Sequence, residues 1–133
     1  LVDVQERALW ICGGRADAAR MAAVGGGGAA ARLLADARGK VDLAALLTDL
    51  AARGVNELHV EAGAKLNASL LAAGLVDELL VYLAPKLIGP GRAMAALPPL
   101  AALDEARPLR FVDVQRVGDD LRIVARPPGR EAF

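Results

Sequence analysis

The sequence predicts an α/β layer fold whose central sheet is mostly parallel, with an antiparallel hairpin at its C-terminal edge. Three observations favour this fold. Apolar residues recur at helical spacing from Leu43 to Leu50, which is typical of an amphipathic helix. A near-continuous apolar run at Glu78–Ala84 is typical of a strand buried on both faces. Residues 109–126 alternate apolar with polar side chains around a "GDD" turn, as an antiparallel hairpin does.

The first third of the chain predicts two strands and a short helix. Ala8–Cys12 is a short apolar run, so we expect a buried strand there, and Ala31–Leu34 predicts a second one. Asp17–Val24 predicts a short helix between them. The glycine run Gly25–Gly28 follows this helix, whereas a phosphate cradle needs a strand before its glycines, so we interpret the run as a flexible break.

The middle of the chain carries clearer signals. Asp42 is a good N-cap, Arg53 lies in the last turn, and Gly54 is placed to end the helix at the C′ position. The helix stripe consists of Leu43, Leu46, Leu47 and Leu50. After this helix, Glu57–Glu61 predicts a strand.

A second strand–helix–strand unit follows directly. Gly63 permits a tight turn, Ala64–Ala73 predicts a helix, and Gly74 ends that helix as Gly54 ends the first. The strand Glu78–Ala84 comes next, and Pro85 ends it. Alternation of strands and helices predicts parallel pairing in the middle of the sheet.

Composition limits the function classes. The 133 residues suit one domain spanning residues 1–133, and 16 basic residues balance 16 acidic ones, so nothing indicates binding to nucleic acid or an anionic membrane. No apolar run approaches the roughly 20 residues of a membrane span. The single cysteine, Cys12, excludes a disulfide framework and a multi-cysteine zinc site, which favours the cytoplasm.

The segment "VEAG" raises the question of why a glutamate ends an apolar strand. Ligands of open α/β sheets bind beyond the carboxyl ends of the strands, where Glu61 and Gly63 lie in this prediction. The next helix would direct free N–H groups to the same crevice, beside Lys65, Asn67 and Ser69. Glu61 would then accept hydrogen bonds from a polar ligand. The alternative is a capping or solvated glutamate, and spacing alone leaves both open.

One block of the sequence resembles a known family. "VEAGAKLNASLLAAGLVDELLVYLAPKLIG" resembles the signature of the C-terminal reductase domain of the bacterial bifunctional riboflavin biosynthesis proteins, the RibD family. The shared features are the strand ending, the small-residue helix start, "AGLVDEL" and "APKLIG". "FVDVQRVGDDLRI" resembles the closing hairpin of the family, and "GKVDLAALLTDLAARGVNEL" resembles its preceding helix and strand. The likeness is specific from about Gly39 to Arg126.

The resemblance implies a fold and an activity. The implied fold is a three-layer one like that of dihydrofolate reductase. The implied reaction is the NADPH-dependent reduction of 5-amino-6-(5-phosphoribosylamino)uracil, a phosphoribosylaminopyrimidine, to the ribitylamino product. Nicotinamide would deliver hydride to C1 of the sugar in its open form. We also expect a cytoplasmic protein that forms a homodimer through "LLVYLAPKL" and the hairpin.

The resemblance further implies roles for particular residues. Glu61 matches the glutamate of the family that contacts substrate, and no catalytic side chain or metal ligand is carried over. Gly13, after the first strand, is a further candidate for the cofactor site. The turn and helix start that contact the cofactor match a run of seven residues, namely Gly63, Ala64, Lys65, Leu66, Asn67, Ala68 and Ser69.

The chain also departs from the family pattern. The reductase domain of the family is longer by tens of residues on its N-terminal side, and the H-x-E and P-C-x-x-C motifs of a zinc deaminase are absent here. Ala62 stands where glycine is common. Since the chain starts at Leu1 rather than Met, we expect a piece of a longer protein. The resemblance implies that this protein carries an N-terminal zinc deaminase domain. We expect this piece alone to be inactive.

Other residues and functions have alternative interpretations. His59 is either a packed strand histidine or a general acid near the hydride acceptor. Cys12 fits a small core residue, and Asp77 and Glu78 fit loop charges. Two other functions stay open: a related oxidoreductase of the dihydrofolate-reductase type that acts on another pyrimidine or a pterin, and a non-catalytic dimerisation module.

Overall fold

The computed structural model describes residues 10–13, 30–130 and 132. The predicted helix Asp17–Val24 and the glycine run Gly25–Gly28 lie outside these residues. The elements within them are, in chain order, β1 (Trp10–Gly13), β2 (Ala30–Leu33), α1 (Leu43–Ala52), α2 (Ala64–Ala72), β3 (Leu79–Leu83), a 3₁₀ turn (Leu103–Glu105), β4 (Arg110–Val117) and β5 (Asp120–Arg126).

The described residues group into two compact units. Those up to His59 belong to one unit and those from Val60 onward to the other. A single domain spanning residues 1–133 stays a prediction. No helix in the described part of the chain is long and apolar enough to cross a membrane.

The first unit contains the one parallel pair among the described strands. β1 and β2 pair in register from Trp10 opposite Ala30 to Gly13 opposite Leu33. Both predicted strands are therefore confirmed. Where the chain is described, their bounds differ from the predicted bounds by a residue or two. Their parallel pairing agrees with the predicted α/β order.

Helix α1 begins and ends where its caps predict. The Asp42 carboxylate Oδ1 accepts a hydrogen bond from Ala45 N at 2.9 Å, and this satisfies one of the free donors of the first turn. Arg53 is the C-cap, and Gly54 follows with φ +83°, a left-handed conformation that glycine adopts without steric cost. The side chain of Arg53 bonds Asp49 one turn earlier, Nε to Oδ2 at 2.8 Å.

The predicted strand Glu57–Glu61 is wrong as a regular element. Residues 55–63 lie in no helix or strand of the described chain. The side chains of Leu58 and Val60 are 46% and 40% exposed. Apolar composition favours an extended run, but a strand forms only where a neighbouring strand completes the ladder.

The second unit is a three-stranded antiparallel sheet in the order β3-β5-β4, with α2 before it in the chain. The pairs run from Leu79 opposite Ala125 to Leu83 opposite Leu121, and from Arg110 opposite Arg126 to Val117 opposite Asp120. The hairpin predicted at the C-terminal end is confirmed. Its turn places Gly118 at φ +62°, as expected where glycine opens a two-residue hairpin loop.

The position of β3 differs from the prediction. We expected Glu78–Ala84 to be a strand buried on both faces of a parallel sheet, but β3 is an antiparallel edge strand. Tyr82 and Leu83 are 56% and 54% exposed. Apolar content alone does not distinguish an edge strand from a central one.

Burial in the described chain concentrates on α2 and β5. The buried apolar residues there are Ala68, Leu70, Val124 and Ala125. Val124 and Ala125 lie on the central strand, which has a neighbour on each side. The second unit therefore has its most protected side chains on the helix that follows the predicted site and on the middle of the sheet.

Candidate functional site

The candidate site is the turn that leads into α2. Gly63 is the N-cap of this helix, with extended dihedral angles of φ −76° and ψ 163°, and no side chain caps the first turn. Glu61 lies two residues before the cap, in the irregular segment 55–63. The predicted glycine turn and helix start are therefore present, although the strand before them is not.

The first turn of α2 presents backbone donors. Leu66 N and Asn67 N donate to the carbonyl of Gly63, at 3.0 and 3.2 Å. In the described part of the chain, Ala64 N and Lys65 N donate no hydrogen bond. The helix has no acidic residue in its first turn, so no side chain within that turn neutralises the positive end of its dipole. This arrangement favours an anionic group.

The space around the cap suits close approach of a ligand. A methyl group on Gly63 would meet no atom within 4 Å. Gly63 and Lys65 are both exposed. A phosphate-bearing ligand could therefore approach the backbone closely at Gly63, and the exposed Lys65 ammonium could serve as its counter-charge.

Asn67 connects this turn to a distant loop. Its side-chain Nδ2 donates to the carbonyl of Ala62 at 3.2 Å and to the carbonyl of Met94 at 2.9 Å. Ala96 N donates to the carbonyl of Ala64 at 2.9 Å. The loop 94–96 is therefore part of the surroundings of the turn, and sequence reasoning did not include it.

The remaining predicted site residues differ in exposure. Leu66 is 42% exposed, while Ala68 is 8% exposed, so Ala68 packs inside the unit and any ligand contact from it would come from the backbone. Ser69 is exposed, and its Oγ donates to the carbonyl of Lys65 at 3.0 Å. This bond runs along the helix, and the hydroxyl lies one turn beyond the open amides.

Glu61, His59 and Gly13 are the candidate residues that come before the turn in the chain. Glu61 and His59 are exposed, and the alternation that would put them on one strand face is absent because the segment is not a strand. Gly13 ends β1, opposite Leu33 in the ladder. The ligand roles of Glu61 and Gly13 stay predictions.

Asp77 and Glu78 have structural partners. Arg126 bonds Glu78 through two nitrogens, Nε at 2.9 Å and Nη2 at 2.8 Å from Oε2. Arg130 Nε lies 3.1 Å from Asp77 Oδ1. These ion pairs join the segment after α2 to the end of β5, which supports the interpretation of both acids as loop charges. Among the described residues, no group of three or more His, Cys, Asp or Glu side chains is placed to hold a metal ion.

Comparison with known proteins gives a consistent result. The sequence profile of the family described as "RibD C-terminal domain" matches residues 5–123. The riboflavin biosynthesis protein RibD of Escherichia coli is 42% identical over 90 residues, which are 67% of this chain and 24% of that protein. The 5-amino-6-(5-phosphoribosylamino)uracil reductase of Buchnera aphidicola is 28% identical over 89 residues, 66% of this chain and 43% of that protein.

Solved structures show a matching fold. RibD of Acinetobacter baumannii superposes with a TM-score of 0.70 at 24% identity, over 89% of this chain and 30% of that one. The likeness at this identity concerns the fold. The chain spans about a quarter of the length of the first curated relatives that it matches.

Proposed function

Since the chain belongs to the RibD C-terminal domain family, we propose that its parent protein reduces 5-amino-6-(5-phosphoribosylamino)uracil to the ribitylamino product with NADPH, in riboflavin biosynthesis. The observation that carries the proposal is the family match over residues 5–123, which includes the open turn before α2. The name of the Buchnera relative supports the same reaction.

The turn fits the phosphate part of a nicotinamide nucleotide. The amides of Ala64 and Lys65 would donate to phosphate oxygens, and the Lys65 ammonium would balance their charge. Gly63, the N-cap residue, is exposed and has no side chain, so it would let the nucleotide approach the backbone. A bound dihydronicotinamide would supply the hydride for C1 of the opened sugar imine, and solvent water would supply the proton that the imine nitrogen gains.

Glu61 would orient the substrate. Its carboxylate would accept hydrogen bonds from N–H or O–H groups of the ribosylaminopyrimidine. Such charge-assisted bonds hold a reacting carbon in place near the hydride donor, which contributes to rate through positioning. Glu61 is exposed in the structure.

Replacement of Glu61 tests the substrate role. In the full-length protein, Glu61→Gln keeps the shape and removes the charge, so we expect kcat/KM to fall by about 10- to 100-fold, the effect of one lost charge-assisted hydrogen bond. NADPH binding, followed by nicotinamide fluorescence, should change little. The matched control is Glu57→Gln, an exposed glutamate of the same irregular segment.

Three results would contradict the proposal. They are activity of Glu61→Gln equal to that of wild type, a similar loss in the Glu57 control, and turnover of a pterin or another pyrimidine in place of the phosphoribosylaminouracil. The isolated chain of residues 1–133 should show little reduction in the same assay, because the family domain has further N-terminal residues.

We also propose the remaining features of the parent protein. The relatives named RibD are about four times as long as this chain, which supports a further domain in the parent protein. We propose that this domain is an N-terminal zinc deaminase and that the protein is cytoplasmic. The fold likeness to RibD supports a three-layer arrangement like that of dihydrofolate reductase in the complete domain. Preference for NADPH over NADH is part of the proposal, and competition titration with both nucleotides would test it.

A homodimer is the last part of the proposal, and the edge of the sheet supports it. On β4, Phe111 and Val114 are 75% and 51% exposed. They pair with Ala125 and Ile123, so they share one face of the sheet. Exposed apolar side chains on an edge strand favour pairing with a second copy.

A further inference from the structure

Asn67 has an unusual place for an asparagine. It lies inside α2, where asparagine is a weak helix former because its side chain competes for backbone groups. Here that side chain bonds two carbonyls outside the helix, those of Ala62 and Met94, at 3.2 and 2.9 Å. The residue therefore connects the start of the helix to a loop 27 positions away.

Asn67 supplies hydrogen bonds at a helix start whose N-cap residue, Gly63, contributes no side-chain cap. The amide of Asn67 holds the turn from within the helix through Ala62. The bond from Ala96 N to Ala64 O, at 2.9 Å, adds a second attachment of the loop. Together the bonds at Met94 and Ala96 fasten one short segment to the first turn of α2.

We propose that Asn67 is a positioning residue, which clamps the loop 94–96 onto the turn and thereby fixes the backbone that presents the amides of Ala64 and Lys65. Both hydrogens of its amide group are used, so Asn67 has no donor left for a phosphate. Its contribution to ligand binding is thus indirect. The nature of the ligand rests on the proposed function, but the clamp itself does not.

Hydrogen exchange of the full-length protein tests the clamp. Asn67→Ala removes both donors and leaves a strong helix former, while Asn67→Asp keeps the shape and cannot donate. We expect peptides covering residues 93–98 to exchange about tenfold faster in both variants, as loss of about one hydrogen bond implies. Thr48→Ala in α1 is the control, because its exposed hydroxyl donates along its own helix to the carbonyl of Ala44 at 3.0 Å and Thr48 has no part in the proposed site. Unchanged exchange in either Asn67 variant would overturn the proposal.

Kinetics test the consequence for the turn. Both Asn67 variants should raise the KM for NADPH about tenfold with kcat nearly unchanged, because the amides are displaced while the reacting groups are not. Faster loop exchange with an unchanged KM would overturn the positioning role. A wild-type protein that binds no NADPH would contradict the proposed function instead, and exchange alone would then decide on the clamp.

Discussion

The Asp36 side chain stabilises the turn formed by residues 36–40 of the first unit. Its Oδ1 accepts hydrogen bonds from Lys40 N at 2.8 Å and from Arg38 N at 2.9 Å. The backbone closes the same turn, with Asp36 N donating to the carbonyl of Lys40 at 2.7 Å and Gly39 at φ +73°. These donors favour the charged carboxylate, and the Lys40 amide has the largest effect in lowering the pKa of Asp36 from its ordinary value of 3.8.

The lowered pKa predicts how the turn responds to acid. A carboxyl group with a lower pKa in the folded chain stabilises it above the unfolded pKa, and this contribution is lost as pH falls through the folded pKa. We therefore expect the Lys40 amide to stay protected at neutral pH and to exchange faster, relative to its intrinsic rate, below pH 3.8. Asp36→Asn keeps the acceptor oxygen without titrating, so its protection should not change there. Equal acid sensitivity of both proteins would contradict the prediction.

Residue-scale features were predictable where their causes are local. Asp42, Gly54 and Gly74 cap their helices as the sequence indicated, because capping depends on a side chain or a dihedral angle within one turn. For Asn67 the sequence indicated hydrogen-bond capacity, and the family resemblance implied a cofactor contact, but neither indicated a bond to a distant loop. Its partner Met94 is 27 residues away, and no local pattern specifies that pairing.

At the scale of elements, five of the six predicted strands exist in the described chain, but the environment of the strands was not predictable. The apolar runs of β3 and β5 indicated strands correctly, and the glycine at 118 indicated the hairpin that joins β4 to β5. The edge position of β3 depends on which strand reaches it, as does the absence of a regular strand at 57–61. Those outcomes follow from long-range pairing, which composition does not encode.

The ion pair of Glu78 with Arg126 is the clearest link between elements. Nε and Nη2 of Arg126 both bond Oε2 of Glu78. The Glu78 side chain is 32% exposed and that of Arg126 is 18% exposed. We expect Glu78→Gln to lower the free energy of unfolding by about 1 kcal/mol, more than an exposed pair would, because Arg126 is mostly shielded from water. Urea unfolding would measure the change.

The Arg116–Asp119 pair supplies the control. Arg116 Nη2 and Asp119 Oδ1 are 3.8 Å apart, and the two side chains are 73% and 93% exposed. Asp119→Asn should therefore change the free energy of unfolding by less than about 0.5 kcal/mol. A loss as large as that of Glu78→Gln would show that charge removal in general, rather than this link, causes the effect. No loss in Glu78→Gln would contradict the prediction directly.

At the scale of the whole molecule, the exposed edge of the sheet bears on assembly. Along β4 the exposed apolar side chains are Phe111, Val112, Val114 and Val117. A lysine on an edge strand prevents pairing with another strand. We therefore expect Val114→Lys to convert a dimer of the full-length protein into a monomer, as measured by light scattering after size exclusion. The substituted side chain is half exposed, so the fold should tolerate it.

The control for assembly lies away from the sheet. Leu103 is 88% exposed in the 3₁₀ turn, and Leu103→Lys adds the same charge there, so we expect the dimer to persist. A wild-type monomer, or a Val114→Lys variant that stays dimeric, would contradict the proposed interface.

The division of the chain at His59 has an optical consequence. Trp10, the one tryptophan, lies in β1, and Tyr82, the one tyrosine, lies in β3, so each unit carries a single chromophore of its own. Indole emission during denaturation follows the first unit, and phenol absorbance follows the second. Unfolding curves that coincide for Trp10 and Tyr82 would mean that the two units unfold in one cooperative transition. Different midpoints would mean that each unit unfolds independently.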